Sequence, residues 1–151
     1  PQFKTINLNE MIQSCLQSFE LELKNKNIYS EVNLVPGNVK GDEIGLRQVI
    51  TNLLKNAIQY DRGGWIRITG EKVKNKYRVT LTNQGQPIPS EKVNRIFDRF
   101  YRVDPSRHRD TGGSGLGLAI AKEIVRQHGG EIGLHSNGHD HSFWFTIPMR
   151  H

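Results

Sequence analysis

Along the first quarter of the chain apolar residues return every three or four positions. Leu8, Ile12, Leu16, Phe19 and Leu23 make such a stripe. That spacing predicts an amphipathic helix, and Asn7 in front of it can cap the first turn with its side-chain oxygen. Ile28 to Leu34 then reads as a strand, ended by Pro36-Gly37. Asp42 can cap a second helix, whose stripe is Leu46, Val49, Ile50, Leu53, Leu54, Ala57 and Ile58. Gly63-Gly64 ends that region.

The period next falls to two. Strands are predicted over Trp65–Lys72 and Tyr77–Thr82, with Asn75 in the turn between them. Ile66 and Ile68 alternate with polar residues, as do Tyr77, Val79 and Leu81, so each strand has one buried face. Asn83 to Pro89 is turn chemistry, Ser90–Phe97 a short helix, and Asp104 to Gly113 a polar stretch. A strong helix runs from Ser114 to His128 and closes on Gly129-Gly130. Ile132 and Leu134 mark a further strand, Asn137-Gly138 a turn, and Phe143, Phe145 and Ile147 a last alternating strand. Helices and strands mix, and neighbouring strands can pair as hairpins. The expected fold is α/β: a two-layer sandwich, one mixed sheet packed against about three helices, in a single domain over residues 1–151.

Composition narrows what such a domain can do. The net charge is +6, yet the basic residues are scattered apart from Arg95, Arg99, Arg102, Arg107, His108 and Arg109. There is no lysine/arginine tract and no zinc-finger or RNP pattern, so nucleic acid is not the expected partner. That cluster flanks a glycine-rich loop, which favours phosphates instead. No apolar run approaches the roughly 20 residues needed to cross a bilayer, and the first residues contain no signal-peptide core. The single cysteine, Cys15, forms no internal disulfide and falls among apolar helix positions.

Four short patterns carry candidate chemistry. Asn52 and Asn56 are four apart on the second helix and share a face. Their carboxamides can offer oxygens to hydrated Mg²⁺ and amide donors to phosphate, or form a plain polar surface pair. Asn83-Gln84-Gly85-Gln86-Pro87 follows a strand; the glycine lets a ligand come close to the backbone, and a simple β-turn is the alternative. In Ile96-Phe97-Asp98-Arg99-Phe100-Tyr101-Arg102 aromatics alternate with arginines suited to phosphate oxygens, while the aromatics can equally pack into the core. Gly112-Gly113-Ser114-Gly115-Leu116-Gly117-Leu118 runs into a helix, whose N-terminus supplies free N–H groups and partial positive charge. It lacks the Walker Gly-Lys-Ser/Thr ending, so it is not a P-loop.

In this order and at these distances, the four patterns resemble the N, G1, F and G2 boxes of sensor histidine kinases, in the superfamily that includes gyrase and the Hsp90 chaperones. The resemblance covers essentially the whole chain, Phe3–Leu34 looking like the usual lead-in helix and strand. It implies the Bergerat ATP-binding fold, with ATP and Mg²⁺ as cofactors. Asn56 resembles the Mg²⁺ ligand, with Asn52 helping to hold metal or phosphate. Asn83 stands where the family has an aspartate bonding the adenine amino group, and Gly85 resembles the glycine that admits the purine. Arg99 and Arg102 match positions that reach phosphates, Arg102 joining Asn52 and Asn56 as catalytic. Gly113, Ser114, Gly115 and Gly117 resemble the triphosphate loop, and residues 103–113 the lid. Tyr60, Ile88, Leu116 and Leu118 complete the implied nucleotide contacts.

Three departures from the family pattern stand out: Asn83 for aspartate, Pro87 for a further glycine, and Gln59 for a common lysine. Asn83 keeps an oxygen that can accept from adenine, and on this reading Asn83→Asp keeps or improves binding. The asparagine-led second motif, Asp110-Thr111-Gly112-Gly113 and Gln127-His128-Gly129-Gly130 look like the vancomycin-resistance sensor kinases. None of His108, His128, His135, His139, His141 and His151 has the context of a phosphoacceptor; His139 and His141 read as a polar turn.

The family's activity therefore implies transfer of the γ-phosphate to a histidine on a separate dimerisation domain, then to a response regulator. The expected fragment is a soluble monomer from the cytoplasmic part of a membrane-anchored kinase, without its sensor, transmembrane and phosphoacceptor regions. Gyrase- and chaperone-type ATPases, and serine kinases of the anti-sigma-factor type, carry a glutamate where this chain has Asn52. An ATP-binding scaffold with little turnover is the remaining alternative.

Overall fold

In the computed structural model, which describes residues 2–101 and 116–149, both expected helix caps form. Asn7 accepts from the Glu10 N–H (3.0 Å) at the head of α1, Leu8–Gln17. Asp42 accepts from the Gly45 N–H (2.9 Å) at the head of α3, Glu43–Tyr60. Between them the expected first helix breaks. The Ser18 hydroxyl turns back to the Cys15 carbonyl (2.6 Å), and α2 restarts at Glu20–Asn25. Hydroxyls that bond nearby backbone carbonyls compete with helix continuation in this way.

The main sheet follows from the alternations. β2 (Tyr29–Leu34), β4 (Trp65–Val73), β5 (Lys76–Gln84), β6 (Ile132–Asn137) and β7 (Asp140–Pro148) lie in the order β2-β4-β5-β7-β6. β2 and β4 are parallel and the other pairs antiparallel, so the sheet is mixed as expected. Ile66 and Ile68 of β4, Tyr77, Val79 and Leu81 of β5, and Phe143, Phe145 and Ile147 of β7 are all buried on one face. Against them pack α1, α3 and α5 (Gly117–Gln127), with the whole apolar stripe of α3 buried. Across the sheet the other face is polar and aromatic, with Arg67 over Trp65 at 5.1 Å and Arg78 over Trp144 at 5.8 Å.

Three boundaries differ from expectation. Asn83 and Gln84 do not begin a turn; they pair with His141 and Asp140 and finish β5. The last hairpin turns at Gly138-His139, because Asn137 still pairs with Asp140. The short helix α4 spans only Ser90–Val93, followed by turns. A two-stranded ribbon of β1 (Phe3–Asn7) and β3 (Asn38–Asp42) was also not expected. Its core contribution is only Ile6 and Val39, too little alternation to announce two strands. His128 ties the ribbon to the end of α5: its Nε2 accepts from the Asp42 N–H (3.0 Å), its Nδ1–H donates to the Ile124 carbonyl (2.7 Å), and Phe3 stacks on its ring at 4.7 Å.

Two buried groups show how burial sets chemistry. Burial pushes the Cys15 thiol up, against the opposing pull of Arg47, in keeping with a packing role. Burial also pushes the Tyr77 hydroxyl up, so it stays protonated and donates to the Val35 carbonyl (2.6 Å). Tyr77→Phe should therefore destabilise the domain by about 1–2 kcal/mol, the cost of a lost hydrogen bond and a stranded carbonyl. Urea melts of the two proteins measure it, and an unchanged midpoint would show that water replaces the bond.

Candidate nucleotide-binding site

The C-terminal half of α3 is where the distant motifs meet. Asn52 and Asn56 lie one turn apart and are half-buried, next to the buried Leu53, Leu54 and Ala57. The Asn52 amide donates to the carbonyl of Gly117 (3.0 Å), tying α3 to the first turn of α5 across 65 residues of sequence. That bond uses the nitrogen and leaves the carboxamide oxygen. Leu116, just before α5, provides no capping side chain, so the first N–H groups of that helix have no side-chain partner from it.

One turn further along α3, Asn83 comes in from the sheet. It continues the core-facing row of Tyr77, Val79 and Leu81, and is itself buried, 4% exposed. A polar residue ending an apolar row must find partners. Its amide nitrogen donates to the Ala57 carbonyl (3.2 Å) and approaches an Asp61 carboxylate oxygen (3.5 Å). The Ala57 carbonyl is one of the last four of α3, which have no partner within the helix. Among the described residues, no hydrogen bond reaches the Asn83 side-chain oxygen.

Gly85 sits against the end of the same helix. A methyl group there would lie 3.1 Å from the Tyr60 carbonyl and 3.5 Å from the His141 ring, so the position is tight. The strand-end loop is held from the other side by the β6–β7 hairpin. The Gly85 N–H donates to the His139 carbonyl (2.9 Å), and His139 Nδ1–H donates to the Gly85 carbonyl (3.0 Å). His141, 6% exposed, donates from Nε2 to the Gln86 carbonyl (2.7 Å) and accepts at Nδ1 from the Ser136 hydroxyl (2.7 Å). His139 and His141 thus do more than make a polar turn. Pairing with residues 54 and 55 positions away is what gives them this role, and no local signal in the sequence could have found it.

The remaining expected residues divide into three groups. Tyr60 is 38% exposed beside Gly85, Ile88 is half-buried after the loop, and Leu118 packs against the core. Phe97 anchors the third motif, meeting Phe143 edge-on at 6.1 Å, whereas Arg99 is exposed and lies over the Phe100 ring at 5.7 Å. No contact brings Arg99 to Asn52, Asn56 or Asn83 among the described residues. Arg102, Gly113, Ser114, Gly115 and the expected lid, 103–113, lie outside the described residues. Gly117 is not crowded: a methyl there would meet Asn52 only at 3.9 Å, so the fold has room for one.

The donor set fits Mg²⁺ and a nucleotide. Neutral carboxamide oxygens are hard ligands, and Mg²⁺ is held by one or two protein oxygens together with substrate phosphates and water. A helix N-terminus beside them, to which Leu116 gives no side-chain cap, suits phosphate.

The family model of histidine kinase-, DNA gyrase B- and HSP90-like ATPases matches residues 41–151, and the chain belongs to that family. The chain is 43% identical over 117 residues to the probable sensor kinase SilS of Salmonella typhimurium, covering 77% of this chain and 24% of that protein. It is 38% identical over 151 residues to the sensor histidine kinase CusS of Escherichia coli strain K12, covering 98% of this chain and 31% of that one. The chain thus spans less than a third of the length of these relatives. The catalytic domain of histidine kinase ThkA superposes with a TM-score of 0.86 at 33% identity, covering 98% of this chain and 96% of that one. ThkA in complex with the response regulator TrrA matches with a TM-score of 0.82 at 32% identity, covering 98% and 42%. These matches confirm the mixed-sheet Bergerat fold expected from the sequence.

Proposed function

We propose that this domain binds Mg·ATP and transfers its γ-phosphate to a histidine imidazole on a separate dimerisation domain, for onward transfer to a response regulator. The observation that carries the reading is the convergence on α3: Asn52 joined to Gly117, and Asn83 joined to Ala57. Three motifs far apart in sequence thereby line one helix. The ThkA–TrrA complex supports a response regulator as the downstream partner.

In this reading the attacking imidazole nitrogen forms a bond to the γ-phosphorus as the bond to the β–γ bridging oxygen breaks, and ADP leaves. A neutral imidazole is already nucleophilic, so the domain's task is positioning and charge neutralisation rather than base catalysis. Magnesium, when bound, neutralises charge on the phosphate oxygens. Asn56 offers its carboxamide oxygen to the metal, Asn52 helps hold metal or phosphate, and the N–H groups at the head of α5 take phosphate oxygens. Asn83 and Gly85 receive the purine, with Tyr60, Ile88, Leu116 and Leu118 around it. Arg99, Arg102, Gly113, Ser114 and Gly115 complete the phosphate side.

No helix among the described residues is long and apolar enough to cross a membrane. The likeness to sensor kinases is what supports placing the domain in the cytoplasmic part of a membrane-anchored kinase. The vancomycin-resistance type is a narrower reading that rests on the Asn83–Gly85, 110–113 and 127–130 motifs alone, and the relatives SilS and CusS add nothing to it.

Mixing the domain with a dimerisation domain and radiolabelled ATP tests the proposal. Label should appear on the dimerisation domain, and Gly115→Ala combined with Gly117→Ala should abolish both transfer and ADP binding without shifting the thermal transition. Tight ADP binding without transfer would instead make the domain a scaffold. No nucleotide binding at all would remove the reading.

A further inference from the structure

We infer that Asp61 is a positioning residue that sets purine selectivity, by fixing which end of the Asn83 carboxamide faces the nucleotide pocket. The inference rests on the nucleotide reading above and adds to it a residue that no motif contains. A carboxamide has a donating end and an accepting end of nearly equal size, so a buried asparagine can turn over unless its neighbours choose. Here both neighbours are pure acceptors: the Ala57 carbonyl at 3.2 Å and an Asp61 carboxylate oxygen at 3.5 Å. Only the NH₂ end can face them, so the oxygen faces away. An oxygen presented to the pocket accepts from the 6-amino group of adenine and repels the 6-carbonyl of guanine. The reversed amide would have the opposite preference.

Asp61 is itself held in place. Its other carboxylate oxygen accepts from the Gly64 N–H (2.8 Å), closing the loop after α3. The same geometry explains why position 83 carries asparagine. A carboxylate there would set its oxygens against both the helix-end carbonyl and the Asp61 carboxylate, acceptor against acceptor in a buried place. Asn83→Asp should therefore weaken ATP binding, contrary to the expectation drawn from the family pattern.

The test displaces a fluorescent ATP analogue from the domain with ATP or with GTP, in the presence of Mg²⁺. Asp61→Asn is the informative variant, because its side-chain oxygen still accepts from Gly64 while its NH₂ opposes the NH₂ of Asn83 and leaves the Ala57 carbonyl alone to hold that orientation. The wild type should prefer ATP, and Asp61→Asn should reduce the ATP-to-GTP preference by about tenfold, as expected when one buried hydrogen bond changes sign. Asn83→Asp should weaken ATP by a similar factor, and Asp61→Asn combined with Asn83→Asp should recover most of that loss. A purely structural role for Asp61 would weaken both nucleotides equally and leave the ratio unchanged, overturning the inference. Wild-type affinity for ATP in Asn83→Asp would overturn it as well, and decides the matter alone should Asp61→Asn not fold. A wild type that binds neither nucleotide overturns the nucleotide reading and this inference with it.

Discussion

Asn56→Ala is expected to lower phosphoryl transfer to a dimerisation domain by roughly two to three orders of magnitude, the scale of losing one group that stabilises transition-state charge. The side chain is half-buried on the polar flank of α3, so its removal empties no core space. Alanine is also the better helix former, by a few tenths of a kcal/mol. Folding should therefore survive, and circular dichroism melts should stay close to wild type. Asn56→Asp should fail differently: it keeps an oxygen but adds charge, altering how the metal sits between protein and phosphates. Transfer rates measured across a Mg²⁺ titration separate the two variants. Normal turnover in either one would remove Asn56 from the metal site.

Gly130→Ala should be the most damaging single methyl in the fold, costing about 3 kcal/mol or more. Gly130 joins α5 to β6, and an added methyl would fall on the backbone carbonyl of Thr146. Neither side can move away. The Gly130 N–H is bonded to the Val125 carbonyl (3.0 Å), the Thr146 N–H to the Glu131 carbonyl (2.8 Å), and the Glu131 N–H to the Thr146 hydroxyl (3.1 Å). Gly117→Ala is the matched control, since its methyl meets nothing closer than 3.9 Å. Urea melts should show a large loss for the first and almost none for the second. Similar stabilities for both would mean that the β7 crossing at Gly130 is looser than it stands here. The pair also separates a glycine that the fold requires, at 130, from one at 117 where the fold has room for a methyl.

Where a residue's role depends on neighbours within a turn or two, it was legible in the sequence. The stripe of α3, the alternations of β4, β5 and β7, and the caps at Asn7 and Asp42 are all local patterns, because helix and strand periods are properties of the backbone itself. The four motifs were legible for the same reason: each is a short segment whose residue types must stand together to meet one part of a ligand. Even there, the local reading placed Asn83 and Gln84 in a turn, since polar residues before a glycine look the same whether or not a partner strand extends beside them.

Tertiary structure alone decided the rest, because the partners lie far apart along the chain and no periodicity links them. The β1–β3 ribbon exists because residues 3–7 meet 38–42 and His128 seals the junction. The loop at Gly85 keeps its shape because a hairpin some 55 residues later brings His139 and His141 to its carbonyls. Asp61, outside every motif, faces Asn83 only because β5 runs back along the end of α3. A hydrogen bond carries no trace in the sequence beyond the identities of its two ends. The chain alone therefore named the candidate polar groups, while the fold determined which end of the Asn52 and Asn83 carboxamides is taken up within the protein.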